Sequence, residues 1–446
     1  MDDDDNVVPL NLAREPSWLR RLQRNKDGAP LPTLANALII LSNDPKFTGM
    51  IAHNEFTSQH LLMFPVPVSQ DGDETLPGPY PRGWGAEDIS LIQAYMQRVW
   101  SERFRRLDIE SAVQAHAATR RFHPILEWVN SLAWDGISRI DKWIVSVFNP
   151  VSDTPMEKAY HKYVGSRFLI AAIRRLRQPG CKFDYMPIFE GDQGIGKSTA
   201  IRKLFGDEYF SDVIPPDLSS KDTAMSLSGI WCLEFAEIEH LIRSDPEVIK
   251  AFFSRQVDRF RPPYARDFVY RPRQGIFAGT TNNDDYLRDA SGNRRFWPVK
   301  CRAADWAWIE VNRDQLWAEA AIREAAGESI WIEDKDVQSQ AAAEADNRMS
   351  EEVWYPAINE WLLGHNEVQA ADILEHALGM PKEKMTKAAA MRVANVLRTL
   401  GWKRAVVKVP DDHALSVKEK SKRVWRKPDA SQDLDKPSDG TDIPFS

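Results

Sequence analysis

The chain has 446 residues, of which 43% are hydrophobic and 28% are charged. Its 16 Trp and 19 Phe exclude a disordered chain, because such aromatic content supplies a core. Its three cysteines are too few and too far apart for a disulfide scaffold, and no apolar run approaches the roughly 18 residues of a membrane span. The acidic N-terminus is unlike a secretory signal, so we expect a cytoplasmic protein without membrane contact, and the formal net charge of −7 gives no support to nucleic-acid binding.

The composition divides the chain into six segments. They are a loosely ordered N-terminus (1–30), a mainly helical region (31–182), an α/β core (183–328), a polar connector (329–351), a basic unit (352–428) and an acidic tail predicted to be disordered (429–446). In the helical region, apolar residues recur at helical spacing over 87–104, 123–149 and 157–177. In the core, short apolar runs alternate with helical segments, which predicts a parallel sheet wrapped by helices and hence an α/β fold class.

A glycine-rich turn follows a short apolar strand predicted at 186–189. Residues 191–198 read GDQGIGKS, which matches the phosphate-binding pattern G-x-x-x-x-G-K-[ST], and a helix is predicted directly after it. Glycines let backbone N–H groups approach phosphate oxygens, the lysine reaches the β- and γ-phosphates, and the serine hydroxyl ligates Mg²⁺. A chance glycine-rich turn is the alternative, which the flanking strand and helix disfavour. The predicted nucleotide-binding residues are Gly191, Asp192, Gln193, Gly194, Ile195, Gly196, Lys197, Ser198 and Thr199.

Two more apolar strands are predicted downstream of this loop. The stretch 229–240 ends in carboxylates, of which Glu234 and Glu237 are candidates to hold Mg²⁺ and to polarise an attacking water, in either order. An exposed acidic helix start is the alternative. The stretch 274–283 ends in Asn282, whose amide can orient water near the γ-phosphate, although by itself such a tip is more often a turn.

Two adjacent arginines, Arg294 and Arg295, follow Asn282 by about twelve residues. A guanidinium stays charged at working pH and stabilises phosphoryl charge, so either residue is a candidate to act in trans on a neighbouring subunit as an arginine finger. A surface salt bridge is the alternative.

Two segments are strongly basic. Between 250 and 273 there are seven Lys/Arg and two Asp/Glu with aromatic residues interleaved, the mix expected for backbone charge plus base stacking. A solvated basic face, partly used in subunit contacts, is the alternative. Between 382 and 427 there are fourteen Lys/Arg and four Asp/Glu. This stretch belongs to the unit 352–428, whose predicted helix–helix–strand–turn–strand order is typical of a winged helix, which can bind DNA or protein. The candidate DNA contacts are Lys250, Arg259, Arg261, Arg266, Tyr270, Arg271, Lys387, Arg392, Arg398 and Arg423.

Taken in chain order, the stretches GDQGIGKST, CLEFAEIEH, DRFRPPYARD, FAGTTN and GNRRFWPV resemble the ATPase core of the virulence-associated protein E family, a branch of the superfamily 3 helicases of phages and mobile elements. The resemblance covers about 120–310. It implies a P-loop AAA+ module that assembles as a ring around DNA, with a hairpin from 245–275 pointing into the channel. One departure is that the metal strand has Glu-x-x-Glu and not an adjacent acidic pair, which leaves the roles of Glu234 and Glu237 open.

Residues and resemblance together predict a ring-forming, ATP-dependent DNA helicase that replicates a phage or mobile element in a bacterial host. ATP and Mg²⁺ are the expected cofactors. The expected partners are single- and double-stranded DNA, further copies of the chain in a hexamer, and a separate primase or polymerase. The alternatives are an origin-binding initiator that remodels DNA without processive unwinding and, disfavoured by the basic 250–273 segment, a small-molecule P-loop kinase.

The last residues, SDGTDIPFS (438–446), resemble the acidic tip of bacterial single-stranded-DNA-binding proteins. In that family the terminal carboxylate belongs to the phenylalanine, whereas here Ser446 follows Phe445. The resemblance implies that the tail recruits host replication proteins through a short-peptide mode of recognition. A merely solubilising tail is the alternative.

Overall fold

A computed structural model describes residues 16–67, 78–238, 246–262, 267–287, 293–348, 354–410 and 419–427. The chain divides into two compact units, one of residues 1–284 and 289–347 and one of residues 285–288 and 348–446. Both units mix helices and strands, and the first contains a parallel sheet, which confirms the predicted α/β fold class. Within the described ranges, no helix is both long and apolar enough to cross a membrane.

The N-terminal part of the first unit is a small sheet packed against helices. Its elements are α1 (Leu34–Asn43), β1 (Ile51–Asn54), β2 (Gln59–Leu62), β3 (Arg82–Gly83), α2 (Ala86–Val99), α3 (Arg106–Thr119) and β4 (Arg121–Phe122). The strands form one sheet in the order β3-β2-β1-β4, and Ile40, Ile51 and Ile92 lie in the core beneath it. Sequence analysis does not predict this sheet because strands of two to four residues leave no recognisable alternation of apolar and polar positions.

Three helices lead into the core: α4 (Pro124–Ser131), α5 (Trp143–Phe148) and α6 (Pro155–Arg177). A capping box starts α6, in which the Thr154 hydroxyl accepts from the Glu157 N–H and the Glu157 carboxylate accepts from the Thr154 N–H. Its residues from Val164 to Ile173 are all buried, because the helix packs against the central sheet on one side and against another helix on the other.

Five parallel strands form the central sheet: β5 (Met186–Glu190), β6 (Phe210–Ser211), β7 (Cys232–Ala236), β10 (Ile276–Thr281) and β11 (Phe296–Lys300). The spatial order is β11-β5-β10-β7-β6. In this order β10 lies between β5 and β7, in register through Thr281 with Glu190 and through Ala278 with Glu234. The carboxyl ends of the three strands that carry predicted site residues therefore meet at one edge.

Helices and a hairpin surround this sheet. The helices are α7 (Lys197–Phe205), α8 (Lys221–Ser226), α9 (Pro246–Ser254), α10 (Trp306–Ala325) and α11 (Lys335–Asp346), and the antiparallel hairpin consists of β8 (Val257–Phe260) and β9 (Val269–Pro272). The residues predicted to form a polar connector contain α11, which is part of the first unit and buries Val337 and Ala345 within it.

The second unit contains α12 (Tyr355–Leu362), β12 (Glu367–Val368), α13 (Ala370–Asp372), α14 (Lys387–Thr399), β13 (Lys403–Pro410) and β14 (Glu419–Arg426). A π-helical turn, Ile373–Ala377, continues α13. The strands form an antiparallel sheet in the order β12-β14-β13, and the core contains Ile358, Leu397 and Trp425. The predicted acidic tail and its DIPF ending lie outside the described residues.

Candidate functional site

The predicted phosphate loop connects β5 to α7, as the sequence pattern requires. Gly196 precedes α7 with φ of +96°, and Gly191 has φ of +144°, both conformations that favour glycine. A Cβ atom at Gly191 would lie 2.6 Å from the carbonyl oxygen of Cys301. The loop thus follows a path that larger residues could not take, and it leaves the N–H groups at the start of α7 unpaired within the helix.

The side chain of Lys197 folds back onto the loop that precedes it. Its Nζ donates to the carbonyl oxygens of Gly191 at 2.6 Å and Asp192 at 2.8 Å, and to Oδ1 of Asn282 at 3.2 Å. Burial lowers the pKa of this ammonium from its ordinary value, because a charged group in low-dielectric surroundings is poorly solvated. The predicted lysine and the predicted strand-end amide are therefore brought together.

Glu234 lies on β7 with its side chain fully buried. Its Oε1 accepts two hydrogen bonds, from Ser198 Oγ and from Thr280 Oγ1, both at 2.6 Å. Its Oε2 is buried and has no hydrogen-bond partner among the described residues. Burial raises the pKa of this carboxyl, and the two hydroxyl donors oppose that rise.

A buried carboxylate oxygen without a hydrogen-bond partner, on a side chain that contacts the Ser198 hydroxyl, is a suitable ligand for a divalent cation. The described residues contain no cluster of three metal-ligating side chains, so they offer no all-protein cage. Mg²⁺ ordinarily binds through one or two protein groups together with substrate phosphates and water. The residues present therefore fit Mg²⁺, with Ser198 and Glu234 as the groups that can hold it.

Glu237 lies beyond the end of β7 in a different setting. Its side chain is exposed, and its backbone adopts φ of +52°, a left-handed conformation that costs energy in residues other than glycine. It lines a pocket of about 330 Å³ together with the loop residues 193–194 and 196–199, Ala236 and the strand end 280–282. Of the two carboxylates, Glu234 contacts the Ser198 hydroxyl and Glu237 faces the open pocket.

The two predicted finger arginines also differ. They form a 3-10 turn, Asn293–Arg295, directly before β11. The Nε of Arg295 donates to Asp184 Oδ2 at 3.1 Å and its Nη2 donates to Ser254 Oγ at 3.2 Å, so this guanidinium is held within its own chain. Arg294 is exposed. Arg295 is therefore held by contacts within its own chain, whereas Arg294 lies at the surface.

The basic segment forms the hairpin β8–β9, whose two faces have different chemistry. Arg259 and Tyr270 are paired in register on the outward face, and the Arg259 guanidinium lies 4.1 Å from the ring centroid of Phe268 and 5.6 Å from that of Tyr270. Phe268 is 53% exposed and Tyr270 is 63% exposed. A positive group with two exposed rings is a platform suited to stacking nucleobases.

The other residues of this segment that are predicted to contact DNA lie in several different settings. Arg271 pairs in register with Asp258 on the opposite face, where its guanidinium lies 5.4 Å from the Phe260 ring, and burial lowers its pKa. The predicted set thus divides between two faces of the hairpin. Lys250 forms an ion pair with Glu247 at 3.2 Å. Arg261 is exposed, and Arg266 lies outside the described residues.

In the second unit, the predicted contacts Lys387, Arg392 and Arg398 on α14 and Arg423 on β14 are all exposed. Two of them pack over tryptophans, with the Arg392 guanidinium 4.0 Å from the Trp354 ring and that of Arg398 5.7 Å from the Trp425 ring. Cation–π packing holds these two guanidiniums against tryptophan rings at the surface.

Sequence analysis assigns no role to Thr280, although this residue completes the site. Its hydroxyl fixes the Glu234 carboxylate from the neighbouring strand. The signal that could have found it is the position of Thr280 near the end of an apolar strand, where a buried hydroxyl needs a partner. Which partner it takes depends on strand order, and strand order is not visible in the sequence.

Comparison with known proteins gives one family match. Residues 129–350 match the model of the virulence-associated protein E-like domain. No curated protein matches the sequence.

Among solved structures the chain is similar to the C-terminal region of NrS-1. The apo structure of region 305–718 has a TM-score of 0.39 at 13% identity and covers 84% of this chain and 95% of that chain. An A-form apo structure of the same region has a TM-score of 0.36 at 14% identity, covering 85% and 96%. A further A-form apo structure of the C-terminal region has a TM-score of 0.35 at 16% identity, covering 63% and 76%.

Proposed function

This chain belongs to the virulence-associated protein E family, and from that premise we propose that it is a ring-forming, ATP-dependent DNA helicase that acts in the replication of a phage or mobile element. The observation that carries the proposal is the meeting of three distant segments at one pocket. Lys197 and Ser198 come from the loop after β5, Glu234 from β7 and Asn282 from the end of β10. This combination is suited to phosphoryl transfer, in which positioning and charge stabilisation supply most of the rate enhancement.

ATP is the proposed substrate, and Lys197 is its principal cationic contact. The β- and γ-phosphates replace the carbonyl oxygens of Gly191 and Asp192 as partners of the Lys197 ammonium. The loop N–H groups and the start of α7 bind phosphate oxygens. Because the ammonium is already directed into the loop, little reorganisation is needed on binding.

Mg²⁺, when bound, neutralises phosphate charge and polarises the γ-phosphate. Ser198 Oγ and the orphaned Oε2 of Glu234 are the groups proposed to hold it, directly or through water. Thr280 engages Oε1, which would leave Oε2 as the oxygen that holds the cation.

Glu237 is proposed to polarise the attacking water, and Asn282 to orient it. Both side chains line the pocket, and Glu237 is exposed to the solvent from which the water comes. The Glu234 carboxylate is instead buried, and its Oε1 already accepts hydrogen bonds from two hydroxyls. We therefore propose that Glu234 holds the metal and that Glu237 polarises the water.

We further propose that six subunits assemble into a ring of AAA+ type. Arg294 is the proposed finger from the neighbouring subunit, since Arg295 is held by Asp184. The outward face of the hairpin β8–β9 is the proposed contact with single-stranded DNA, and the second unit is proposed to bind duplex DNA in the manner of a winged helix. Primer synthesis is left to a separate primase or polymerase, and the acidic tail is proposed to recruit host replication proteins.

The experiment that tests this function is ATP hydrolysis by the full chain with and without single-stranded DNA, followed by unwinding of a tailed duplex that lacks any origin sequence. We expect stimulation by single-stranded DNA and unwinding that depends on hydrolysis. ATP hydrolysis without unwinding of that duplex would indicate an origin-specific initiator. Hydrolysis that DNA leaves unchanged would contradict the proposal.

A further inference from the structure

Trp306, the first residue of α10, lies beside the phosphate loop. A Cβ atom built on Gly196 would be 3.4 Å from Cδ1 of Trp306 and 3.6 Å from the Cβ of Ala304. The indole is 42% exposed, whereas Trp308, two residues further, packs against the core. The exposed indole therefore lies at the edge of the loop, beside Gly196.

The segment that carries Trp306 is held firmly against its surroundings. The N–H groups of Arg302 and Asp305 donate to the carbonyl oxygens of Phe148 and Val147, at 3.1 and 2.8 Å. The Asp305 carboxylate also accepts from the Trp308 N–H and so caps α10. An aromatic side chain on a rigid support stacks with little loss of conformational entropy, as a specificity residue requires.

The phosphate loop by itself recognises only phosphate, because its donors are backbone N–H groups and one ammonium. A site that distinguishes a nucleotide from inorganic triphosphate needs a contact with the base or the ribose, and of these only the base offers a flat aromatic face on which an indole stacks. We propose that Trp306 is that contact and that it stacks on the adenine base of ATP, with Ala304 as its apolar neighbour. This inference rests on the proposed function and extends it from phosphate binding to recognition of the base.

The test compares the binding of ATP and of inorganic triphosphate, each with Mg²⁺, by titration calorimetry on the full chain. Loss of a stacked base by alanine substitution weakens binding by about tenfold. We therefore expect Trp306→Ala to weaken ATP binding by about tenfold and to leave triphosphate binding unchanged, and Trp306→Phe to retain most of the ATP affinity. Trp331→Ala is the matched control, because Trp331 is also 42% exposed, and it should change neither affinity.

Two results would overturn the inference. ATP affinity unchanged in Trp306→Ala would show that the base lies elsewhere, and equal losses for ATP and triphosphate would show that the indole only supports the loop. Should Trp306→Ala not fold, Trp306→Gln, which keeps a bulky side chain without an aromatic face, takes its place under the same expectations. If the wild-type chain binds neither compound, the proposed function itself fails, and this inference fails with it.

Discussion

The ammonium of Lys197 lies 3.2 Å from the amide oxygen of Asn282, although 85 positions separate the two residues in the chain. The contact exists because β10, which ends at Thr281, runs parallel to β5, which leads into the phosphate loop. In the proposed function the lysine and the strand-end amide, which line one pocket, both contact the same γ-phosphate.

Replacing Lys197 with alanine should abolish ATP hydrolysis, because the β- and γ-phosphates lose their ammonium contact. Phosphate release measures the effect. Lys203→Ala is the matched control: this residue lies on the same helix, is partly exposed and pairs with Glu310 at 2.8 Å, so its replacement should retain activity. Turnover near the wild-type rate in Lys197→Ala would contradict the site.

Replacing Thr280 with valine should raise the Mg²⁺ concentration needed for half-maximal ATP hydrolysis. The hydroxyl donates to a carboxylate, and bonds to charged groups contribute about 1.5–3 kcal/mol, so a shift of roughly tenfold or more is expected. Thr280→Ser keeps the donor and should restore the wild-type requirement. A Mg²⁺ requirement that is the same in all three proteins would remove Thr280 from the site.

Replacing Glu234 with glutamine should stabilise the fold at neutral pH while it abolishes hydrolysis. The pKa of this carboxyl is raised in the folded chain, so the folded state binds its proton more tightly than the unfolded state does. Stability is therefore lost as pH rises from the unfolded pKa through the folded pKa, and glutamine avoids this loss. Urea unfolding should show that the variant is more stable than the wild type at pH 8 and that this difference in stability disappears near pH 4. The opposite pH trend would refute the prediction.

The arginines 294 and 295 should behave differently when each is replaced with alanine. Arg294→Ala should remove ATP hydrolysis without loss of stability, and mixing it with Lys197→Ala protein should restore some activity through interfaces that pair an intact loop with an intact finger. Arg295→Ala should lower the free energy of unfolding by about 1–3 kcal/mol, because Asp184, with its side chain 10% exposed, loses its partner. Failure of the Arg294→Ala mixture to recover, with rings intact, would count against a trans role.

We expect the side chains on the outward face of the hairpin to mediate the stimulation of ATP hydrolysis by DNA. Arg259→Ala and Tyr270→Ala should each reduce the stimulation of ATP hydrolysis by single-stranded DNA severalfold, since stacking on an aromatic ring contributes about 1–3 kcal/mol per base. The rate without DNA should not change. Arg271→Ala, on the opposite face of the same hairpin, should have a smaller effect on stimulation. Equal effects from both faces would argue that the hairpin contributes only structure.

Much of the site was predictable because its signals are local. Residues close together in the sequence determine the loop of 191–198, the strand before it and the helix after it. The conformation of a glycine and the start of a helix both depend on such near neighbours. The central α/β fold followed from the alternation of apolar runs. By contrast, the sheet formed by β1–β4 has strands too short to produce a pattern, so it is visible only in three dimensions.

The assignment of individual side chains needed the tertiary structure, because each depends on a partner far away in sequence. Glu234 and Glu237 both follow one apolar stretch, but strand register buries the first against Ser198 and leaves the second in the open pocket. Arg294 and Arg295 are adjacent, yet only a fold that brings Asp184 to residue 295 makes one an anchor. A sequence records which groups are available, and packing decides which of them meet, since a hydrogen bond or ion pair forms only between atoms held a few ångströms apart.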